Sequence, residues 1–336
     1  MDDHPQPHER PKSRVVAALL SLLAPGVGHA FVGRPLRGVV WLAAPLALAA
    51  LSLAVAREPS VKTVFAILGA SLFLGYASAI IDVLVMPARR HRQTSAAGVI
   101  AFVAAPVLLA PVVALTLRML VVEAYKMPSG SMSPTLVVGD HLFVDKAVYR
   151  SRAPRRGEVL VFKYPEHPEH DFVKRAIAVG GDRLEVRGGH PIINGWVVPS
   201  CAVGTYRYTE SDDRAEREGD LFVEFLEGFA YLVLFDRSAP QTDYQGPYRA
   251  GPGETWVMGD NRNNSHDSRV WFSGAGGGVP ASHVKGRARL IWLSANHAHQ
   301  GSDLADGPVA PSPELAAPIA KCLVNRPANT TPPPPT

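Results

Sequence analysis

The chain has 336 residues, a formal net charge of +4, 47% hydrophobic residues and two cysteines. That length holds a membrane region plus one or two soluble domains. The small basic excess is split into clusters at Arg10, Lys12 and Arg14 and at Arg89, Arg90 and Arg92. Both clusters flank apolar segments, a pattern of orientation in a lipid bilayer rather than of nucleic-acid binding.

In chain order, residues 1–13 are polar and are expected to be disordered. Val15–Val32 is apolar but broken by Pro25-Gly26 and Gly28-His29. It is read as a re-entrant or interfacial segment, residues 15–32, with basic flanks at Arg14, Arg34 and Arg37. Three longer apolar runs follow, at 39–56, 64–86 and 97–122. Each is close to the roughly 20 residues that a membrane helix needs. Their only charges, Asp82 and Arg118, lie near run ends, within reach of the interface. The positive-inside rule puts the Arg34 and Arg89 clusters in the cytoplasm and everything from Glu123 onward outside.

Residues 123–294 read as β. Strands are expected at Asp140–Lys146, Glu158–Tyr164, Phe172–Val179, Arg183–Val186, Phe229–Phe235, Glu254–Met258 and Ala288–Leu293. Asn194-Gly195 marks a hairpin between Ile192-Ile193 and Trp196-Val197-Val198. The predicted fold class is therefore a membrane α-helical N-terminal part followed by a mainly antiparallel β catalytic domain. Residues 200–250 are more charged and are read as an elaboration on that domain. Residues 295–336 are Ala/Pro-rich and are read as a disordered tail. Cys201 and Cys322 fit no zinc spacing; pairing between them is left open.

Three polar segments stand out. Met127-Pro128-Ser129-Gly130-Ser131-Met132-Ser133-Pro134 sets a serine in a turn constrained by Pro and Gly, just beyond the last apolar run. A serine hydroxyl needs a base. No Gly-x-Ser-x-Gly elbow is present, so the candidate base is Lys174, on a predicted strand between Val173 and Arg175. Alternation points it to the face of Phe172 and Ala176, where loss of water would favour the neutral amine. The third segment, Gly259 to Arg269, is dense in hydrogen-bonding side chains. Taken singly, these are equally a juxtamembrane loop, a surface lysine and a solvated loop.

Together, PSGSMSPTLVVGD, RGEVLVFKYP, DFVKRAIAVGGD and GDNRNNSHDSR occur in the order found in bacterial type I signal peptidases, which this chain resembles from Pro128 to about Leu293. The resemblance implies a membrane serine endopeptidase that removes signal peptides after small residues, using a Ser/Lys dyad and no metal or organic cofactor. It implies Ser131 as nucleophile, Lys174 as general base, and Ser129 with the Ser131 N–H as oxyanion hole. Ser265 would orient the amine, Asp267 and Arg269 would form a supporting ion pair, and Arg175 would flank the base. Met127, Met132, Leu136 and Val173 would line apolar substrate subsites. The implied partners are signal-peptide-bearing preproteins and the lipid bilayer, and the implied location is the bacterial cytoplasmic membrane, multi-pass, with the catalytic domain on its outer face. Two departures are visible: Asn263 replaces the family's usual Asp, and Gly180 its usual Pro. The membrane part is also longer than the family's usual one or two spans. A narrow-specificity processing peptidase and a silent membrane scaffold are the competing readings. Trp271 and Phe272, directly after the third segment, are expected either to touch lipid or to enter the core.

Overall fold

The computed structural model of the chain describes residues 13–55, 61–86, 122–209, 216–294 and 299–335, with isolated positions at 100, 104 and 108. They form two compact units, Met1–Thr116 and Leu117–Thr336.

The first unit is helical: α1 (Arg14–Ser21), α2 (Val27–Phe31), α3 (Pro35–Val55) and α4 (Val61–Val85). Ser13 caps α1 by accepting the Val16 N–H at 3.4 Å. The break at Pro25-Gly26 splits the first apolar run into α1 and α2. At about 1.5 Å per residue, neither reaches the roughly 30 Å of a bilayer core. Within α3 and α4, Pro35–Ser52 and Ala66–Val85 are long and apolar enough to cross a membrane. The third expected span, 97–122, lies almost wholly outside the described residues, as does most of the N-terminal segment 1–13. Asp82 on α4 is not at the water interface alone. It accepts Arg37 Nε and Trp41 Nε1, each at 2.7 Å, and lies 2.8 Å from His29 Nε2, which joins α2, α3 and α4.

The second unit is mainly antiparallel β. A seven-stranded sheet runs in the order β1-β2-β14-β3-β4-β12-β13. Its members are β1 (Val122–Lys126), β2 (His141–Asp145), β3 (Val159–Lys163), β4 (Asp171–Val179), β12 (Glu254–Met258), β13 (Val279–Pro280) and β14 (Val284–Leu293). A four-stranded sheet, β11-β5-β6-β7, joins β5 (Arg183–Arg187), β6 (His190–Ile193), β7 (Trp196–Val197) and β11 (Tyr244–Arg249). Asn194 and Gly195 turn β6 into β7 at φ values of +54° and +79°, which the Asn-Gly pair tolerates. The charged stretch read as an elaboration is a three-stranded sheet, β10-β9-β8, built from β8 (Ser200–Thr209), β9 (Glu216–Leu226) and β10 (Phe229–Asp236).

One expectation is corrected and one open alternative is resolved. The tail is not disordered over its described length, because it has an apolar face to bury. The helix α5 (Ala316–Val324) packs Ile319 and Cys322, with Leu315 just before it, against Tyr208, Val223, Phe225 and Leu234 of the three-stranded sheet. Cys322 is disulfide-bonded to Cys201 on β8, with 5.8 Å between the Cα atoms. Further on, Thr330 O accepts the Glu227 N–H at 2.7 Å and Pro333 O accepts Asn194 Nδ2 at 2.8 Å. Of the two alternatives for Trp271 the structure shows the core: the ring is fully buried among Phe162, Tyr164 and Val257, while Phe272 stays partly exposed.

Candidate active site

β4 carries the lysine. Val173, Lys174, Arg175 and Ala176 are all buried, because β4 sits between β3 and β12. Leu160 of β3 lies opposite Lys174, and the amine sits over the Phe172 ring at 5.3 Å. The alternation expected from sequence thus holds for Lys174 and Phe172. The lysine is only 4% exposed. Burial lowers its pKa to about 8, although the Asp267 and Asp260 carboxylates pull it back upward.

Ser131 lies in a short 3-10 turn, Gly130–Met132, that follows β1. Lys174 Nζ donates to Ser131 Oγ at 2.6 Å, and Ser129 Oγ lies 3.2 Å from Ser131 Oγ. These groups face a cleft of about 460 Å³ whose walls include Tyr125, Met127, Phe172, Val173 and His266. Of the four expected subsite residues, Met127 and Val173 reach the cleft. Met132 and Leu136 do not line it; they are fully buried in the same apolar cluster. A short, hydrogen-bonded turn cannot expose every apolar side chain, and these two anchor it from beneath.

The polar segment after β12 is held by buried ion pairs. Arg269 Nε and Nη2 donate to Asp267 Oδ1 and Oδ2 at 2.7 and 2.8 Å. The Gly259 N–H adds a third donor at 2.9 Å. Burial opposes the Asp267 charge, but these contacts hold its carboxyl below the ordinary range. Arg175 Nε and Nη2 grip Asp260 Oδ1 and Oδ2 at 2.8 and 2.6 Å, and its guanidinium stacks 4.0 Å over Tyr231. Arg262 is fully buried against Glu224 of β9, with Nη1 to Oε1 at 2.7 Å.

Ser265 is not hydrogen-bonded to the amine. Its Oγ helps hold the Asp267 carboxylate ionised but is buried without a partner at full hydrogen-bond geometry. Gly259 is wedged beside it. A Cβ there would stand 2.2 Å from Ser265 Oγ and 2.4 Å from Ser131 O, so only glycine fits.

Sequence reasoning missed Asp260, Asn261, Glu224 and Tyr208 as named partners. The first two lie in the polar segment, whose composition signalled a network without saying who pairs with whom. Glu224 and Tyr208 carry no local signal at all. The Asn261 N–H donates to Ser131 O at 3.1 Å, and Asn263 Nδ2 donates to Asp236 O at 3.1 Å.

A buried amine of lowered pKa against a serine hydroxyl can deprotonate it for attack on a carbonyl. The chain is also similar to known proteins. The family model for signal peptidase, peptidase S26, matches residues 99–293. Signal peptidase I of Aquifex aeolicus (strain VF5) is 33% identical over 207 residues, spanning 54% of this chain and 79% of that protein. Signal peptidase I of Pseudomonas fluorescens is 31% identical over 200 residues, spanning 54% and 68%. Signal peptidase I of Leptolyngbya laminosa is 34% identical over 196 residues, spanning 56% and 77%. The chain belongs to the signal peptidase family, peptidase S26.

Proposed function

We propose that this serine endopeptidase removes signal peptides from preproteins with Ser131 as nucleophile and Lys174 as general base. The observation that carries the assignment is the 2.6 Å contact between Lys174 Nζ and Ser131 Oγ in a dry setting. The neutral amine takes the Ser131 proton as Oγ attacks the scissile carbonyl carbon. The resulting oxyanion is held by the Ser131 N–H and by the Ser129 hydroxyl, which is near enough to reach it. The C–N bond then breaks, and the Lys174 ammonium protonates the leaving amine. Water then attacks the acyl carbon, giving a proton to Lys174, which passes it to Ser131 Oγ as the ester C–O bond breaks, so that hydroxyl and neutral amine are both restored.

β1 pairs with β2 alone among the described strands, and Tyr125 to Met127 border the cleft. An extended substrate adds naturally to such a free edge. The Met127 and Val173 walls then favour small apolar residues. Asp267, Arg269 and Arg175 brace the backbone and carboxylates around the base through Gly259, Asp260 and Gly157, and Ser265 helps hold the Asp267 carboxylate ionised.

α3 and α4 are read as membrane spans and the catalytic unit as extracytoplasmic, in a multi-pass bacterial inner-membrane protein. The basic flanks support that orientation, and so does a disulfide, which persists in oxidising compartments. Ser131→Ala and Lys174→Ala are each expected to lower preprotein cleavage in detergent by at least about 1,000-fold while leaving the β unit folded. Wild-type cleavage by either variant would exclude the dyad.

A further inference from the structure

We infer that Tyr208, acting through Asn261, aims the oxyanion-binding N–H of Ser131, so that the three-stranded sheet outside the catalytic strands sets transition-state stabilisation. The inference rests on the proposed role of Ser131.

The argument starts with one peptide plane. The Gly130 C=O and the Ser131 N–H belong to the same peptide unit. The unit is trans, since the cis bonds among the described residues are Ser133–Pro134 and Gly246–Pro247. In a planar trans unit the C=O and N–H point in opposite directions. Whatever holds the Gly130 oxygen therefore aims the Ser131 N–H.

Asn261 holds it. Its Nδ2 donates to Gly130 O at 3.3 Å, beside the Ser133 N–H at 3.0 Å. Its own N–H donates to Ser131 O at 3.1 Å, which fixes the next carbonyl as well. One residue thus grips both ends of the nucleophile's residue, through its side chain on one side and its backbone on the other. An amide can also rotate, and something must set its plane. The second Nδ2 proton goes to Tyr208 Oη at 3.2 Å, and Tyr208 in turn donates to Asp236 Oδ2 at 2.8 Å. Asp236 is anchored on its other oxygen by the Ser238 N–H at 2.8 Å and Oγ at 2.7 Å. The amide oxygen of Asn261 has no partner, so both of its fixed contacts run through nitrogen, and Tyr208 alone among side chains turns that nitrogen.

The backbone follows the same route. Leu234 of β10 donates to Asp260 O and accepts from the Arg262 N–H, both at 2.8 Å, bracketing Asn261. Asn261 is fully buried and Tyr208 is 9% exposed, so water does not substitute for either contact. Neither residue touches Lys174 in any hydrogen bond, which separates this effect from the base.

The test uses full-length enzyme in detergent, a preprotein substrate, and a peptide boronate that forms a tetrahedral adduct on the serine. Tyr208→Phe is expected to lower kcat about 10-fold and Asn261→Ala about 100-fold, the scale of one oxyanion donor. KM and the pH midpoint of activity should stay at wild-type values. Boronate affinity should fall by the same factor as kcat, whereas a non-covalent substrate-like peptide should bind as before. The double variant should lose no more than Asn261→Ala. If Asn261→Ala does not fold, Tyr208→Phe, which removes one oxygen, carries the test. Wild-type kcat in Tyr208→Phe well below its melting temperature, a loss confined to KM, or a shifted pH midpoint overturns the inference. A Ser131→Ala enzyme that still cleaves would instead remove the nucleophile assignment itself.

Discussion

Lys174, the proposed base, shows how the burial that disfavours a charged amine is the same burial that suits it to accept a proton. Its amine is buried, and burial pushes its pKa down from 10.5 to about 8. The protonated amine cannot accept the Ser131 proton, so the active form is the one favoured above that pH. The acid limb of kcat/KM is therefore expected to have its midpoint near pH 8, rising with a slope of one proton and flattening above it. A midpoint near 10, measured by initial cleavage rates across buffers of constant ionic strength, would show that the amine is solvated in the working enzyme. The sign is that of a cation destabilised by burial: the unfolded chain binds this proton more tightly, so stability rises between about pH 8 and 10.5. The residue that does this was legible in the sequence, because its strand neighbours Phe172 and Ala176 are apolar or small. The ion pairs buried around the site were less so. Asp260 lies 85 positions from Arg175 and Glu224 38 from Arg262, and no local pattern encodes contacts over such separations.

Among the elements, the segment from Gly259 to Arg269 is the one most dependent on its internal pairing. Asp267 takes two contacts from the Arg269 side chain and one from the Gly259 backbone, with almost no water. Asp267→Ala leaves a buried guanidinium without its partner. It is expected to lower the unfolding free energy by about 3 kcal/mol or more, read by chemical denaturation of the detergent-solubilised chain. An effect under about 1 kcal/mol would mean that water reaches the pair. Most strands of the main sheet were legible because their apolar residues run together, as in Val159–Lys163. β8 and β9 were not, since Arg207, Glu216, Arg217 and Glu218 interrupt the alternation. The two strands are stabilised by each other and by α5 rather than by their own pattern. Trp271 illustrates the converse limit. Its place beside a polar motif left lipid and core equally open in the sequence, and only the packing decides: the ring fills space against Phe162 and Tyr164, with centroids 6.0 and 5.4 Å away.

At the scale of the whole molecule, a helical unit with two helices long and apolar enough to cross a membrane precedes a β unit that carries the proposed dyad. The sequence carried this division plainly, since a switch from long apolar runs to short alternating strands is visible without coordinates. It did not carry the disulfide, which joins residues 121 positions apart. The proposed outer placement of the catalytic unit makes that bond a reporter. In membranes isolated from cells producing the full chain, Cys201 and Cys322 are expected to resist alkylation until a reductant is added, read by a mass-tag gel shift. Free thiols in freshly prepared membranes would argue for a reducing compartment and against that placement.

The end of the chain alters where the enzyme itself stops. The family signature closes at residue 293, yet Leu315, Ile319 and Cys322 are core residues, and Thr330 and Pro333 bond to turns of two different sheets. A fragment trimmed to the signature would keep every residue of the dyad and lose the lining of the sheet on which Tyr208 stands. Homology ends at residue 293, whereas the apolar core of the three-stranded sheet continues into a segment beyond it.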